Sequence, residues 1–488
     1  MRKTGKYHES PKDPILWGEG DIDSPVVRGG DVYPKPNGRV SLQWLTACEE
    51  ERALTTDLMD RIAELSNLTT ALRQVVSNGG SAGLDGETVT ELKEWFNHNW
   101  QRLQSSLLEG SYTPNGVRGV RIPKPKGGYR QLGIPTVKDR LVQQAISQVL
   151  SKRYEPIFSD NSYGFRPGRN AHQALQKAGE YVAEGCKYVV DLDLEKFFDK
   201  VNHDRLMWML GTRIGDKRVL SLVGRFLRSG IMQDGLMSQR LQGTPQGSPL
   251  SPLLSNIVLD ELDKELEARG HRFVRYADDQ IILVKSEEAA KRVERSVTDY
   301  IETRMKLKVN REKSRICEPW ELNFLGHNIH KDGGLGISRE SLQRFKAKLR
   351  RMTRRNKGVS LEQLIQGLNP VLRGWLNYFK HARMKNALAS LEAWLRRRIR
   401  CYRLKLCKRA SGIIRFLRSR NLPDSRIWPL IGCGRGWYRI ANIHASNEAM
   451  NLAWFYDIGL FSLSTNYSSI FKETAQYGAR TLGGVRGR

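Results

Sequence analysis

Tyr188-Val189-Val190-Asp191-Leu192-Asp193-Leu194-Glu195-Lys196-Phe197-Phe198-Asp199 is the stretch on which the reading of this chain turns. Its first seven residues alternate as a strand does, with Asp191 and Asp193 on one face and Val190, Leu192 and Leu194 on the other. Eighty-five residues beyond Asp193 stands Asp278, in Phe273-Val274-Arg275-Tyr276-Ala277-Asp278-Asp279-Gln280-Ile281-Ile282-Leu283-Val284. That segment reads as a hairpin whose turn is Tyr276-Ala277-Asp278-Asp279 and whose flanks are buried-strand material. A lone Asp-Asp is ordinarily a decorated surface turn. Two acidic clusters at strand ends of a strongly basic protein point instead to a divalent cation, because carboxylates forced together repel unless a cation lies between them. Mg²⁺ prefers oxygen ligands, keeps waters and is commonly shared between carboxylates and substrate phosphates. Two such ions suffice for in-line phosphoryl transfer.

The 488 residues leave room for two to four domains, at roughly 100–200 residues each. The net charge of +28 is unevenly placed. Between residues 341 and 420, 23 Lys and Arg face only Glu362 and Glu392, a local excess of +21. A solvated surface mixes signs, so this excess reads as a polyanion-binding face, for nucleic acid ahead of an acidic membrane. No apolar run reaches the roughly 18 residues of a membrane span. Met1-Arg2-Lys3-Thr4-Gly5 lacks a signal-peptide core. The expectation is a cytoplasmic protein with no membrane partner, held near the bacterial nucleoid by nucleic acid. No two of the six cysteines form a Cys-x-x-Cys pair, so neither disulfides nor structural zinc are expected.

Residues 1–40 are rich in Pro, Gly and charge without periodicity and read as a flexible arm. From Leu42 to Ser77 apolar residues recur at helical spacing, as at Leu54, Leu58, Ile62 and Leu65. Residues 117–135 alternate like a hairpin around a Pro-Lys-Pro-Lys-Gly-Gly turn. The region 185–330 mixes short strands and helices, and beyond about residue 340 the strands stop. Leu361, Leu364, Ile365 and Leu368 form one stripe, and Leu372, Trp375, Leu376 and Phe379 the next. Pro370 lies between them, which predicts two consecutive helices. A further helix buries Leu391, Trp394, Leu395, Ile399, Tyr402 and Leu406 while its arginines fan outward.

Gly243-Thr244-Pro245-Gln246-Gly247-Ser248-Pro249-Leu250-Ser251-Pro252 is a turn-rich loop that opens a helix at Leu253. Together with both Asp motifs, Asn202-His203, Tyr163-Gly164-Phe165-Arg166-Pro167-Gly168 and Phe324-Leu325-Gly326, it resembles group II intron reverse transcriptase/maturases. The resemblance runs from about Asn78 to Arg409, and more loosely through Trp437-Tyr438-Arg439 to Leu460. It implies an α+β right-hand polymerase of fingers and palm, then an α-helical thumb/maturase domain and a small basic C-terminal region. The corresponding divisions are an arm over 1–40, an N-terminal extension and fingers over 41–185, a palm over 186–335, a thumb over 336–412 and a DNA-binding-like region over 413–488. No zinc-supported endonuclease domain is expected, since its residues and cysteine pairs are missing.

The implied activity is RNA-directed DNA polymerisation, extending a DNA primer on an RNA template with deoxynucleoside triphosphates and two Mg²⁺ ions. The implied second role is that of a maturase, which binds the group II intron RNA for splicing and for retrohoming into target DNA. Asp193, Asp278 and Asp279 would be the catalytic metal ligands, with Asp191 a neighbour of open role. Phe198 would gate the ribose 2′-hydroxyl, Lys124 and Arg130 would contact the triphosphate, and Gln246 would steady the incoming nucleotide. Lys313 is a candidate proton donor to pyrophosphate, with Lys308 as rival. Arg350, Arg351, Arg354, Arg355, Arg396, Arg397, Arg400 and Lys405 would grip nucleic acid. Ser248 stands where many relatives have Gly, and Gln280 where Phe or Cys is commoner. Two other readings stay open: an intron-independent reverse transcriptase in defence or repair, and a splicing factor with a dormant polymerase. The intron, the insertion site and a monomeric or dimeric state are not read from the sequence.

Overall fold

Apolar residues at helical spacing build the first elements, α1 (Leu58–Ala63) and α2 (Leu65–Asn78). In this computed structural model residues 55–123, 127–233, 236–238, 242–245, 247–431 and 436–469 are described; the N-terminal arm, Lys124 and Gln246 fall outside them. The helical run breaks at Glu64, whose backbone is extended (φ −60°, ψ 134°). Asn67 secures the break: its amide donates to the carbonyls of Ile62 (2.9 Å) and Ala145 (3.2 Å). A capping box of Thr88 and Glu91 starts α3 (Val89–Leu108). Then come β1 (Val117–Pro123), β2 (Tyr129–Ile134) and α4 (Val137–Tyr154), the strands forming the expected antiparallel hairpin.

The middle of the chain folds as α5 (Ala171–Ala183), β3 (Tyr188–Leu192), α6 (Phe197–Lys200), α7 (His203–Gly211) and α8 (Lys217–Arg228). β4 (Ile231–Gln233) and β5 (Leu236–Ser238) return to extend the first sheet, in the order β2-β1-β4-β5. There follow α9 (Ser251–Ala268), β6 (Arg272–Tyr276), β7 (Asp279–Val284), α10 (Glu287–Thr303) and β8 (Arg315–Cys317). A small hairpin of β9 (His327–Ile329) and β10 (Leu335–Ile337) closes the region. The central antiparallel sheet runs β6-β7-β3-β8. Period-two alternation gives it two buried faces: Val190, Leu192, Phe273 and Ile282 join the large core with the N-terminal helices. Val189, Val274, Ile281 and Leu283 pack instead with Ala174, Leu175 and Ala178 of α5.

The remainder is helical: α11 (Arg339–Met352), α12 (Leu361–Phe379), α13 (Lys385–Leu406), α14 (Ala410–Arg418), α15 (Asp424–Ile431), α16 (Trp437–Ile440), α17 (His444–Ala449) and α18 (Leu452–Asp457). Two helices were expected around Pro370, and the structure has one, with Pro370 inside it. An interior proline costs about 3 kcal/mol or more. Leu361, Leu364, Ile365, Leu368, Leu372, Leu376 and Phe379 are buried on a single stripe, at about 1.5–3 kcal/mol each, so one continuous helix wins. Leu406 is exposed rather than buried, while Leu391, Leu395, Ile399 and Tyr402 are in the core as expected. Among the described residues no helix is long and apolar enough to cross a membrane. The whole has the α+β order of fingers and palm followed by a helical C-terminal region.

Candidate active site

β3 and β7 pair from Tyr188↔Val284 to Leu192↔Gln280. Continuing that register by one residue sets Asp193 against Asp279. Asp193 is fixed through its backbone: its N–H donates to Ser314 Oγ (3.0 Å), and its carbonyl accepts from the Asn310 N–H (2.8 Å). Tyr276 pairs with Asp279, so Ala277 and Asp278 alone form the tip of the β6–β7 hairpin. Ala277 lies at φ +59°, a left-handed conformation that costs a non-glycine residue about 1–2 kcal/mol.

A buried polar network holds that tip, and it is the main feature sequence reasoning missed. Arg275 and Asp263 are wholly buried and Asn256 nearly so. The Arg275 guanidinium donates to both Asp263 oxygens (Nε at 2.8 and 3.0 Å), to Asn256 Oδ1 (2.9 Å) and to the Ala277 carbonyl (3.0 Å). Asn256 donates in turn to the Gly164 carbonyl (2.9 Å). The loop carrying Gly164 runs beside β6, with the Tyr163 N–H donating to the Arg275 carbonyl (2.9 Å). A Cβ on Gly164 would stand 2.1 Å from the Ala277 nitrogen, so only glycine fits there. The available signal was an arginine directly following the apolar pair Phe273-Val274 within the strand.

Burial, and then the charge of acidic neighbours, raises the pKa of Asp278 and Asp279. Burial pushes Asp279 up to about 6, and the charges of Asp278, Asp193 and Asp191 add to it. Burial raises Asp278 as well, with Asp193 pushing the same way, while Arg130 and Lys313 oppose. Asp191 is raised to about 6 by burial, against the pull of Arg315 (3.6 Å). The Lys313 ammonium lies 2.8 and 3.1 Å from the Asp193 oxygens. The donor set is oxygen only, and its mutual repulsion is what a hard divalent cation relieves. Among the described residues, no three Asp, Glu, His or Cys side chains converge closely enough to hold a metal ion by themselves. An open set fits an ion that takes its remaining ligands from water and phosphate.

Phe198 is half-buried, with its ring 5.3 Å from that of Phe197. Its carbonyl accepts from the Thr244 N–H (2.7 Å), and the buried His203 Nε2 lies 2.7 Å from the Gly243 carbonyl. Asn202-His203 thus ties the start of the 243–252 loop to the first Asp motif, and Gln246 itself lies outside the described residues. Ser248, the departure from glycine, is buried and donates to Gln143 Oε1 (2.7 Å). Gln280 is buried with no partner for its Nε2 among the described residues. Arg130 is exposed on β2, near enough to Asp278 to act on it electrostatically. Lys308 offers its carbonyl to the Glu195 N–H (2.8 Å).

Phe324-Leu325-Gly326 is where the helical region meets the palm. Tyr378 donates to the Leu325 carbonyl (2.9 Å), and a Cβ on Gly326 would meet Ser341 Oγ at 2.8 Å. A groove beside this contact is lined by Asp279 at one side and Arg344, Lys348, Trp375 and Tyr378 of α11 and α12 at the other. Of the eight expected cations, Arg350, Arg351, Arg354, Arg355 and Lys405 are exposed, and Arg396 and Arg397 partly so. Arg400 does not fan outward. It donates to the Met450 carbonyl (3.0 Å), and burial lowers its pKa to about 10.

A reverse transcriptase (RNA-dependent DNA polymerase) family model matches residues 122–329, and a group II intron maturase-specific domain matches residues 342–420. Protein YkfC of Escherichia coli is 32% identical over 56% of this chain and 82% of its own. The retron Mx65 reverse transcriptase of Myxococcus xanthus is 30% identical over 67% of this chain and 78% of its own. The group II intron-encoded protein LtrA of Lactococcus lactis is 29% identical over 53% of this chain, and the match spans 54% of LtrA. The polymerase match covers the acidic hairpin and its supporting network, and the maturase match covers the basic helices α11 to α14. The chain therefore belongs to the group II intron-encoded reverse transcriptase/maturase family.

Proposed function

We propose that Asp193, Asp278 and Asp279 hold two Mg²⁺ ions at the 3′-end of a DNA primer paired to an RNA template. The chain is an RNA-directed DNA polymerase with a maturase domain, and its reaction is a divalent-metal nucleotidyl transfer. The observation that carries the metal reading is the β3–β7 register, which continues to Asp193 opposite Asp279 with Asp278 adjoining. When bound, the ions lower the pKa of the attacking hydroxyl and stabilise the leaving pyrophosphate.

The chain's own groups do the rest. Arg130, with Lys124, offsets charge developing on the triphosphate of the incoming deoxynucleotide. Phe198 fills the space a 2′-hydroxyl would need, and Gln246 steadies the base pair being formed. Lys313, paired with Asp193 before substrate enters, is freed to protonate pyrophosphate. The exposed arginines of α11 and its following turn, with Lys405, bind phosphates of the intron RNA by shape and backbone. Arg396 and Arg397 extend that grip toward the segment after residue 413, where target DNA is engaged. Nucleic-acid binding keeps the protein with the cytoplasmic nucleoid.

Primer extension on an RNA template tests this reading. Asp278→Asn is expected to cut the rate by about 10²–10³-fold or more, with template-primer affinity little changed. Equal incorporation by wild type and variant would overturn the assignment.

A further inference from the structure

A cavity of about 650 Å³ lies between the turn after α11, the helix α13 and the short helix α16. It shares no lining residue with the groove at Asp279. Its lining includes the cations Arg354, Arg355, Arg398 and Lys405 and the rings of Trp437 and Tyr438. Among the described residues no carboxylate pairs with any of the four cations; the nearest ion pair on α13 joins Arg396 to Glu392. Arg398 is fixed by neutral acceptors: Thr353 Oγ1 (2.6 Å), the Thr353 carbonyl (3.1 Å) and the Arg350 carbonyl (3.1 Å). Cations crowded without counter-charge make a strongly positive hollow.

The rings are held as well. Arg397 stacks 3.8 Å from the centre of the Tyr438 ring and donates to the Tyr438 carbonyl (3.0 Å). Lys405 lies 5.4 Å from the Trp437 ring centre. Tyr438 is nonetheless 39% exposed, so a large aromatic surface stays open beside a set of unneutralised cations. The volume falls within the roughly 300–1,000 Å³ of small-ligand sites. A second hollow shares Arg354 and Asn356 with the first and adds Lys348, Arg351 and Lys357. Lys348 also lines the groove at Asp279. Concavities thus succeed one another along α11, which suits a polymer better than a free nucleotide.

We infer that this cavity takes one unpaired nucleotide of a single-stranded RNA, its base on Trp437 and Tyr438 and its phosphates on Arg354, Arg355 and Lys405. The inference rests on the nucleic-acid reading of the basic helices and adds the form of strand they take. A base inside a duplex has both faces covered by its neighbours, whereas an unpaired base can stack on protein rings. An acidic peptide would satisfy the cations but not the rings. Single-stranded DNA shares the chemistry; the maturase match over residues 342–420, which includes Arg354, Arg355 and Lys405, favours RNA.

The test is binding of the full-length protein to a labelled RNA strand of about ten nucleotides, to the DNA strand of the same sequence and to a blunt RNA duplex. Tyr438→Ala should weaken the RNA strand by about 5- to 100-fold, Tyr438→Phe should retain it, and the duplex should bind both alike. Arg355→Ala should lower the slope of log affinity against log salt by about 0.7, a change Tyr438→Ala should not produce. Equal losses on strand and duplex, or no loss on either, would overturn the inference. So would a wild-type preference for the DNA strand with the same Tyr438 dependence, which would make the occupant target DNA. Wild-type primer extension from the same preparation separates the two readings, since its failure would count against the polymerase site alone.

Discussion

Around the β6–β7 tip Asp278 and Asp279 stand within electrostatic reach of Asp193, with cations already close, Lys313 on Asp193 and Arg130 acting on Asp278. Between residues 341 and 420 it is cations that crowd, and the two carboxylates in that stretch give little relief. Glu392 pairs with Arg396 (3.5 Å) and also accepts from the Leu463 N–H (2.5 Å) and Ser462 Oγ (3.0 Å), and Glu362 sits at the start of α12. The regions also differ in how they are held. The acidic tip hangs on a guanidinium with no solvent exposure, whereas Arg350, Arg351, Arg354 and Arg355 stand on exposed helix and turn. Phosphoryl transfer loses rate steeply when a reacting group moves by an ångström, so its ligands need a rigid mount. Gripping a polyanion depends on the number of charges presented, and tolerates movement. One site is built for position and the other for potential.

Breaking the mount should have the largest effect. Arg275→Met leaves Asp263 buried and unpaired, which costs about 3–5 kcal/mol of stability. The double variant Arg275→Met with Asp263→Leu removes both charges, and urea unfolding should then show most of the loss restored, since apolar replacement of a buried pair is often neutral. Activity should not return with stability. The Ala277 carbonyl still lacks its donor, and the strained tip carrying Asp278 is free to relax. Recovery of both stability and primer extension in the double variant would mean the network is structural filler, and the contrast with the basic helices would lose its basis.

The contrast was only half legible in the sequence. The acidic clusters, their strand-end placement and the face shared by Asp191 and Asp193 follow from period-two alternation and a short turn, both local. The excess of positive charge over 341–420 is a matter of counting. The role of Arg275 was hidden for the opposite reason: its partners Asp263 and Asn256, and Gly164 beyond Asn256, come from a helix and a loop that only tertiary packing brings together. Pro370 misled because local propensity was weighed without the seven-residue buried stripe that overrides it. Leu406 and Arg400 exchanged their expected places for a similar reason. In the last turn of α13 Leu404 takes the buried face and Leu406, two residues on, falls on the opposite side, while α18 and the residues before it cover Arg400.

Arg400 and Arg351 sharpen the comparison within the basic region itself. Arg400 donates to a main-chain carbonyl and lies 5.2 Å from the Phe455 ring centre. Its replacement by Ala should cost about 1.5–3 kcal/mol of stability, as for other hydrogen bonds to charged groups. It should leave the salt dependence of RNA binding unchanged. Arg351→Ala should do the reverse: no measurable loss of stability, and a salt slope lower by about 0.7–0.9. Thermal unfolding and a salt titration on one RNA read both effects. If Arg400→Ala lowers the slope as Arg351→Ala does, the half-buried side chain reaches phosphate after all.

The smallest effect is a proton's competition with the metal. Asp279 is raised to about 6 against an ordinary value of about 3.9, so the fold without divalent ions binds that proton more tightly than the unfolded chain does. Linkage then makes metal-free stability fall as pH rises from about 4 through about 6, where the carboxylate ionises against Asp278 and Asp193. A divalent ion removes that penalty by binding the ionised form. Added Mg²⁺ should therefore raise the unfolding temperature more at pH 7.5 than at pH 5. The Mg²⁺ concentration for half-maximal primer extension should climb by up to about tenfold for each pH unit below about 6, one proton displacing one ion. In Asp279→Asn, followed by unfolding temperature without divalent ions because the variant lacks a metal ligand, that proton is gone and the fall of stability between about pH 4 and 6 should flatten. A slope unchanged by that substitution would place the titrating group elsewhere, with Asp191, also raised to about 6, as the next to replace.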